Sequence, residues 1–382
     1  MAGKGPQTTT DLVVVGAGVV GLGCALAAVR RGLKVVVVER DARANGASIR
    51  NFGFITVTGQ QAGAMWRRAR RTRDLWAEVA DAARIPIRQT GLLVPVRRPE
   101  AAAVLEAFVQ GEMGERCRLL DRAALADRAP ELAGRELIAG LWSPHELRVE
   151  SREAIPALTR WLEAQGVDFR WSTAAHAVET GRVHTSRGPI AAKAVAVCPG
   201  DDLVTLFPDR LADAQLLRCK LQMLRLADPG FPLSAPVMSD LGLVRYAGYA
   251  ALPEAAALRA RLEREQPEEL AAGVHLITVQ GAGGELVVGD SHDYGATPDP
   301  FGHAAVDRLI LDEWSAVFGR PAPPVLERWT GTYAWSPHGP ALIEAPLEGV
   351  ALALVTTGAG ASTGFAIGEE VVASLLGEGS PA

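Results

Sequence analysis

At 382 residues, with 48% apolar residues, the chain is long enough for two globular units, taking about 100 to 200 residues per domain. The formal net charge of −5 comes with no basic stripe, so a nucleic-acid partner is not expected, and no run reaches the roughly 18 uncharged apolar residues of a membrane span. The four cysteines show neither CxxC nor framework spacing, and the seven histidines do not fall at metal-ligand spacing, so a cytoplasmic protein without disulfide or metal is expected.

Residues 1–10 are polar and read as a disordered tail rather than a signal peptide or span. The next 30 residues are the most informative in the chain. Residues 12–15 are a β-branched strand, and Gly16, Ala17, Gly18, Val19, Val20 and Gly21 form a G-x-G-x-x-G turn that opens a helix. That helix runs to Arg30, Arg31 and Gly32, a second strand covers 33–38, and Glu39 follows 23 residues after Gly16.

Each part has a physical role. Gly16 permits the tight turn, Gly18 lets the backbone approach a pyrophosphate, and Gly21 lets the helix pack closely on the strand. The helix start offers free N–H groups and about half a positive charge to phosphates. Glu39 accepts the hydroxyls of an adenosine ribose and repels a 2′-phosphate, which disfavours NADP. The stretch therefore predicts a dinucleotide site, FAD or NAD.

After Glu39 and Arg40 comes a long connection in which Gly46, Ala47, Ser48, Asn51 and Gly53 are small or turn-forming. Such residues let backbone N–H groups reach a pyrophosphate and the ring beyond it. A helix is expected over 60–83, with Arg67, Arg68, Arg70, Arg71 and Arg73 on a solvated face. A strand pair is expected over 87–98, a helix over 99–114, and a short helix over 121–128 capped by Asp121.

Residues 151–166 restore helical spacing, with Ser151 as the expected N-cap, and a strand follows over 167–171. A meander turning at 180–181 and 187–188 then ends in an apolar strand closed by Pro199 and Gly200. From 215 to 324 strands dominate, with helices expected over 253–268 and 304–318. The GAGG at 281–284 lies between strands and opens no helix, so it reads as a hairpin turn. At the C-terminus a strand over 351–357, a glycine-rich turn over 358–364 and a helix follow one another, with no second strand and no acidic ribose partner. This turn suits a second helix start aimed at the first cofactor.

Three separated segments, GAGVVG with Glu39, VAVCPGDDL and TTGAGASTGFAIGEEV, together resemble the D-amino-acid oxidase family of flavoproteins, which includes glycine and sarcosine oxidases. The resemblance covers nearly the whole chain. It implies non-covalent FAD, and an α/β fold in which a Rossmann-type FAD-binding domain carries an inserted antiparallel-sheet substrate domain. The implied division is 1–84, 142–214 and 325–382 for the FAD domain, and 85–141 and 215–324 for the substrate domain.

The resemblance places Ser48 near the pyrophosphate, and the backbone of Asn51, Phe52 and Gly53 near the flavin ring. It places Ala175 near the adenine, Gly200 near the phosphates, and the turn of Gly358, Gly360, Ala361, Ser362, Thr363 and Gly364 over the pyrimidine end of the flavin. There the N–H groups and the Ser362 and Thr363 hydroxyls would stabilise reduced flavin. Family members acting on amino acids carry an arginine in a W-x-G-x-R-P-like stretch. Here that stretch is Trp329, Thr330, Gly331, Thr332, Tyr333, Ala334, and a neutral phenol cannot replace a bidentate guanidinium.

The stretches SIRNFG, RCKLQML, RYAGY and GDSHDYG resemble a subgroup associated with phosphonate breakdown, which implies a 2-aminoethylphosphonate-like amine. Arg50, Tyr246, Tyr333 and His338 are the leading substrate-side candidates, with Lys220, Arg245 and His292 behind them. Tyr333 and His338 are expected in one loop. The expected reaction is FAD-dependent oxidation of a small amine by molecular oxygen, giving an imine and hydrogen peroxide. A flavin dehydrogenase using a quinone or carrier, and a non-catalytic flavin-binding subunit, are the alternatives.

Overall fold

The computed structural model describes residues 10–132 and 136–379. Of the expected N-terminal tail, residues 1–9 lie outside them, whereas Thr10 opens the first strand. Two sheets organise the chain, one of eight strands and one of ten.

The first sheet is built on β1 (Thr10–Val15), followed by helix α1 (Val19–Val29) and β2 (Val35–Val38). All four residues of β2 and most of β1 are buried, because helices and a meander cover both faces of this parallel sheet. That is why these strands read as continuous valine runs. β1 pairs in parallel with β2 on one side and with strand Gly188–Val197 on the other, which in turn pairs in parallel with Val350–Val355.

α1 is almost wholly buried and rich in glycine and alanine, which lets the C-terminal helix Gly360–Leu375 cross it closely. A Cβ on Gly23 would stand 2.7 Å from the Gly364 carbonyl oxygen, and one on Gly368 would stand 2.3 Å from the Gly23 carbonyl carbon. Helix Ala64–Ala82 holds the other side of the C-terminal helix. Trp76 stacks on Phe365 at 4.5 Å, and its Nε1 donates to the Ala361 carbonyl at 3.0 Å. The arginine run expected on a solvated face is partly committed here: Arg68 makes a two-point pair with Glu370, and Arg71 pairs with Glu369.

The second sheet runs, in order, Asp293–Gly295, Leu217–Leu226, Leu286–Gly289, Ile277–Gln280, Val237–Met238, Ile87–Val96, Ala139–Val149 and Phe54–Ile55. Val325–Trp335 pairs along Leu217–Leu226, and Arg118–Asp121 along Ala139–Val149. The expected division at 141/142 therefore falls inside a strand of this sheet, and the one at 324/325 falls just ahead of another. Behind the sheet, Arg97 and Arg98 meet Asp240 and Glu313 in a buried ion cluster extended by Glu265 and Gln266.

Several local expectations change. Residues 87–96 form one strand, not a pair, because Gly91 takes a φ of +76° at a register shift and breaks the alternation as a turn would. Asp121 does cap its helix, accepting from Ala124 N at 2.8 Å. Ser151 is instead the first helical residue, and its hydroxyl donates to Asn51 Oδ1 at 2.7 Å. The GAGG turn joins Ile277–Gln280 to Leu286–Gly289 as a hairpin.

Candidate active site

The turn after β1 opens a cleft of about 270 Å³ along the edge of the first sheet. Gly16 has a φ of +100°, and a Cβ there would meet the Cys198 carbonyl oxygen at 2.4 Å; a Cβ on Gly21 would meet the Gly16 oxygen at 1.9 Å. No other residue fits either position. Glu39 closes the far end of β2, with its carboxylate accepting from Ala17 N at 2.9 Å and Asp41 N at 3.0 Å. Ser48 Oγ accepts from Val19 N at 2.8 Å, tying the 46–49 turn to the start of α1.

The α1 start carries no acidic residue in its first turn, so its partial positive charge is free for an anion. Gly46 and Gly200 face open space, so neither wall is filled by side chains. These features fit a diphosphate laid across the helix start with a ribose near Glu39.

A second cavity of about 290 Å³ lies toward the ten-stranded sheet. The two cavities share Tyr333 and Gly358 in their walls, and a Cβ on Gly358 would meet the Tyr333 ring at 2.9 Å. On the first-sheet side the second cavity is walled by Asn51, Phe52, Thr56, Ala361 and Ser362. On the other it is walled by Arg245, Tyr246, His275, Asp290, His292 and Tyr294. It is therefore a recess at the inner end of the dinucleotide cleft, with a charged far wall.

The charged wall is assembled from distant parts of the chain. Arg245 donates to the Tyr294 hydroxyl at 2.9 Å and makes no ion pair within 4 Å among the described residues. Asp290, 5% exposed, sits between His275 and His292, with carboxylate-to-ring-nitrogen distances of 3.2 and 3.8 Å. Burial raises the Asp290 carboxyl to about 7, against the opposing pull of Arg245. Burial, reinforced by Arg245, holds both imidazoles well below their ordinary range, so they are neutral at neutral pH.

A family model for FAD-dependent oxidoreductases, DAO, matches residues 11–374. The chain belongs to this family. Its cofactor is FAD, and it is an oxidoreductase. Solved structures of glycine oxidase from Geobacillus kaustophilus (TM-score 0.78, 19% identity, 97% of this chain and 95% of that one) and from Bacillus cereus ATCC 14579 (0.77, 17%, 97% and 95%) share the fold. So does iminodiacetate oxidase from Chelativorans sp. BNC1, with a TM-score of 0.71, 17% identity and coverage of 97% and 96%. The bifunctional protein ThiO/ThiG of Nostoc sp. is 27% identical over 170 residues, 42% of this chain and 26% of that protein's length. Among the described residues, no helix is long and apolar enough to cross a membrane.

Most residues expected at the cofactor line one cavity or the other. Gly16, Gly18, Val19, Val20, Gly21, Glu39, Arg40, Ala47, Ser48, Ala175, Gly200 and Gly360 line the cleft, and Asn51, Phe52, Ala361 and Ser362 line the recess. Ala17, Gly53, Thr363 and Gly364 line neither. Ala17 is behind the turn, Gly53 packs on the Val149 carbonyl, and Gly364 packs on Val19. The hydroxyls expected at the flavin are already committed: Ser362 Oγ accepts from Thr56 N at 2.8 Å, and Thr363 Oγ1 donates to the Ala359 carbonyl at 2.8 Å. The glycine turn is also shorter than expected, since the helix begins at Gly360.

On the substrate side the structure brings together Tyr246 and Tyr333 but not Arg50 or His338. Tyr333 lies in strand Val325–Trp335 rather than in a loop, which turns its ring into the seam between the cavities. Arg50 is spent on structure, its Nη1 donating to the Thr330 carbonyl at 3.4 Å while its own carbonyl accepts from Trp329 Nε1 at 3.0 Å. His338 is exposed and bonded to Gln215. Lys220 turns away, donating to the carbonyls of Asp299 and Phe301. Sequence reasoning missed Asp290 and His275 and ranked Arg245 and His292 low, although RYAGY and GDSHDYG were both singled out.

Histidines and carboxylates without ligand spacing in sequence are nonetheless brought together: one ligand atom from each of His275, Asp290 and His292 lies within 4.8 Å of the others. Burial, reinforced by the guanidinium of Arg245, lowers the proton affinity of both rings.

Proposed function

We propose that this oxidoreductase oxidises the C–N bond of a small amine bearing an anionic group, with molecular oxygen as the final acceptor and hydrogen peroxide as product. The observation carrying this reading is the recess that meets the FAD cleft at Tyr333 and Gly358 and ends in a guanidinium with no carboxylate partner. A half-buried cation without a carboxylate partner is stabilised when an anion reaches it. Arg245 thus supplies the charge that Tyr333 withdraws from the W-x-G-x-R-P-like position. A phosphonate of the 2-aminoethylphosphonate type, implied by the sequence resemblance, has oxygens enough for both Arg245 and the Tyr294 hydroxyl.

Bound FAD would supply the two-electron acceptor for C–N oxidation and the route of those electrons to oxygen. The chain holds the cofactor through the start of α1, the Glu39 carboxylate and the 46–53 connection. The C-terminal helix starts where cleft and recess meet, with Gly360 lining the one and Ala361 the other, and its partial positive charge favours negative charge there. Phe52, Tyr246 and Trp335 give the recess apolar walls that limit water around the reacting carbon. Hydrolysis of the resulting imine releases the carbonyl product. The reading expects air-equilibrated enzyme to yield hydrogen peroxide and carbonyl product in equal amounts from 2-aminoethylphosphonate or its N-methyl form. Turnover only with a quinone or dye, with no peroxide, would favour the dehydrogenase reading.

A further inference from the structure

The reading above leaves the amine's own proton unassigned. An amine in neutral water is an ammonium ion, with no lone pair to assist hydride loss, so a proton must leave before oxidation. The charged wall holds groups suited to that step which the anion site does not use.

Asp290 Oδ1 and both ring nitrogens of His275 have no hydrogen-bond partner, although both residues are buried, 5% and 3% exposed. Unsatisfied buried polar atoms of this kind are rare and call for an occupant. His292 Nδ1 lies 2.9 Å from the Gly273 carbonyl, which can only accept, so Nδ1 carries the ring proton. The neutral ring therefore presents a bare lone pair at Nε2, on the side of Asp290. Carboxylate oxygen and imidazole nitrogen converge within 4.8 Å on one point at the recess wall. An ammonium group, with three donors and one positive charge, matches a cluster of acceptors around one anion.

Resting on the amine reading, we propose that Asp290, framed by His275 and His292, receives the substrate ammonium and takes its proton, delivering the neutral amine for oxidation. The step is balanced: the N–H bond breaks, its electron pair stays on nitrogen, and the proton joins the Asp290 carboxylate and later passes to solvent. Arg245, on the same wall, takes the anionic group, so the two ends of a zwitterion are read by separate charges.

The ionisation of Asp290 supports the assignment. Burial raises its carboxyl to about 7, making it a far better proton acceptor than an exposed carboxylate. The other titratable groups around it are Arg245, Tyr246, His275, His292, Tyr294, Tyr333 and Cys219. Both histidines are held neutral, while burial pushes the tyrosines and the cysteine upward, so Asp290 is the one that titrates near neutrality.

The test is anaerobic reduction of bound FAD across pH by the panel amine that reduces it fastest, drawn from 2-aminoethylphosphonate, its N-methyl form, glycine, sarcosine and ethanolamine. For the natural protein the rate constant at low amine should rise as pH passes about 7. In Asp290→Asn, of the same shape, that inflection should vanish and the rate at neutral pH fall about 100-fold. Rate should return only toward the ionisation of the free amine, about 10. The unchanged visible spectrum of FAD in the variant shows that the fold and cofactor site are intact. An Asp290→Asn profile like that of the natural protein overturns this proposal alone, whereas failure of every amine to reduce the natural holoenzyme overturns the amine reading with it. Stoichiometric binding of zinc or manganese that restores rate to chelator-treated holoenzyme would overturn the proton role in favour of a metal.

Discussion

Tyr333 and Arg245 show how one change at a site is answered by another residue far along the chain. Tyr333 stands at the seam of the two cavities, and burial pushes its phenol well above the ordinary range, so it stays neutral. Arg245 reaches the same recess from the segment before helix Ala247–Ala250. Replacing Arg245 with Met should cost one or two charge-assisted hydrogen bonds, each worth about 1.5–3 kcal/mol, and lower kcat/KM for an anionic amine about 10- to 100-fold or more. An uncharged amine of the same length should be affected far less. Steady-state kinetics with 2-aminoethylphosphonate and ethanolamine measure the difference.

At this scale the cofactor residues were legible and the substrate residues only partly so. Gly16 to Glu39 could be read because strand, turn, helix and acid are consecutive, so local spacing fixes their geometry. Asp290 and His275 could not, because they sit just beyond the ends of two neighbouring strands whose pairing only tertiary structure sets. Arg50 and His338 were plausible for lying in conspicuous stretches, but spacing does not reveal where a side chain is spent. Arg50 serves the Thr330 carbonyl and His338 serves Gln215.

Among the elements, α1 and the C-terminal helix carry the cofactor site jointly, and their close crossing depends on glycines. A valine at Gly368 would place Cβ 2.3 Å from the Gly23 carbonyl carbon and 2.5 Å from Cys24 N, both backbone atoms that cannot rotate aside. Overpacking of this kind costs about 1–3 kcal/mol. Gly368→Val should therefore lower Tm by several degrees and weaken FAD retention, as the N-termini of both helices shift together. Thermal unfolding followed by circular dichroism and by flavin fluorescence checks both. The small-residue pattern marked this helix in sequence, but its role as packing partner of α1 was not visible. The GASTG segment, residues 360–364, read there as an open turn, whereas all of it is helix.

Across the whole molecule, the glycine-lined cleft runs along the first sheet, while the charged wall of the recess lies toward the second. The recess between them exists only when both sheets are in place. The fold class was legible from the order of strands and helices, because a parallel sheet buried on both faces leaves continuous valine runs. The division into pieces was less so. Strands Ala139–Val149 and Val325–Trp335 join the second sheet by long-range pairing, which local spacing does not reveal. The central claim, that this flavoprotein draws electrons from an amine held at Arg245 and Asp290, is tested most directly by anaerobic titration of the yellow holoenzyme. The account predicts that 2-aminoethylphosphonate or its N-methyl form bleaches the visible flavin absorbance faster than glycine or a hydroxy acid does. Bleaching by hydroxy acids and by no amine would contradict it.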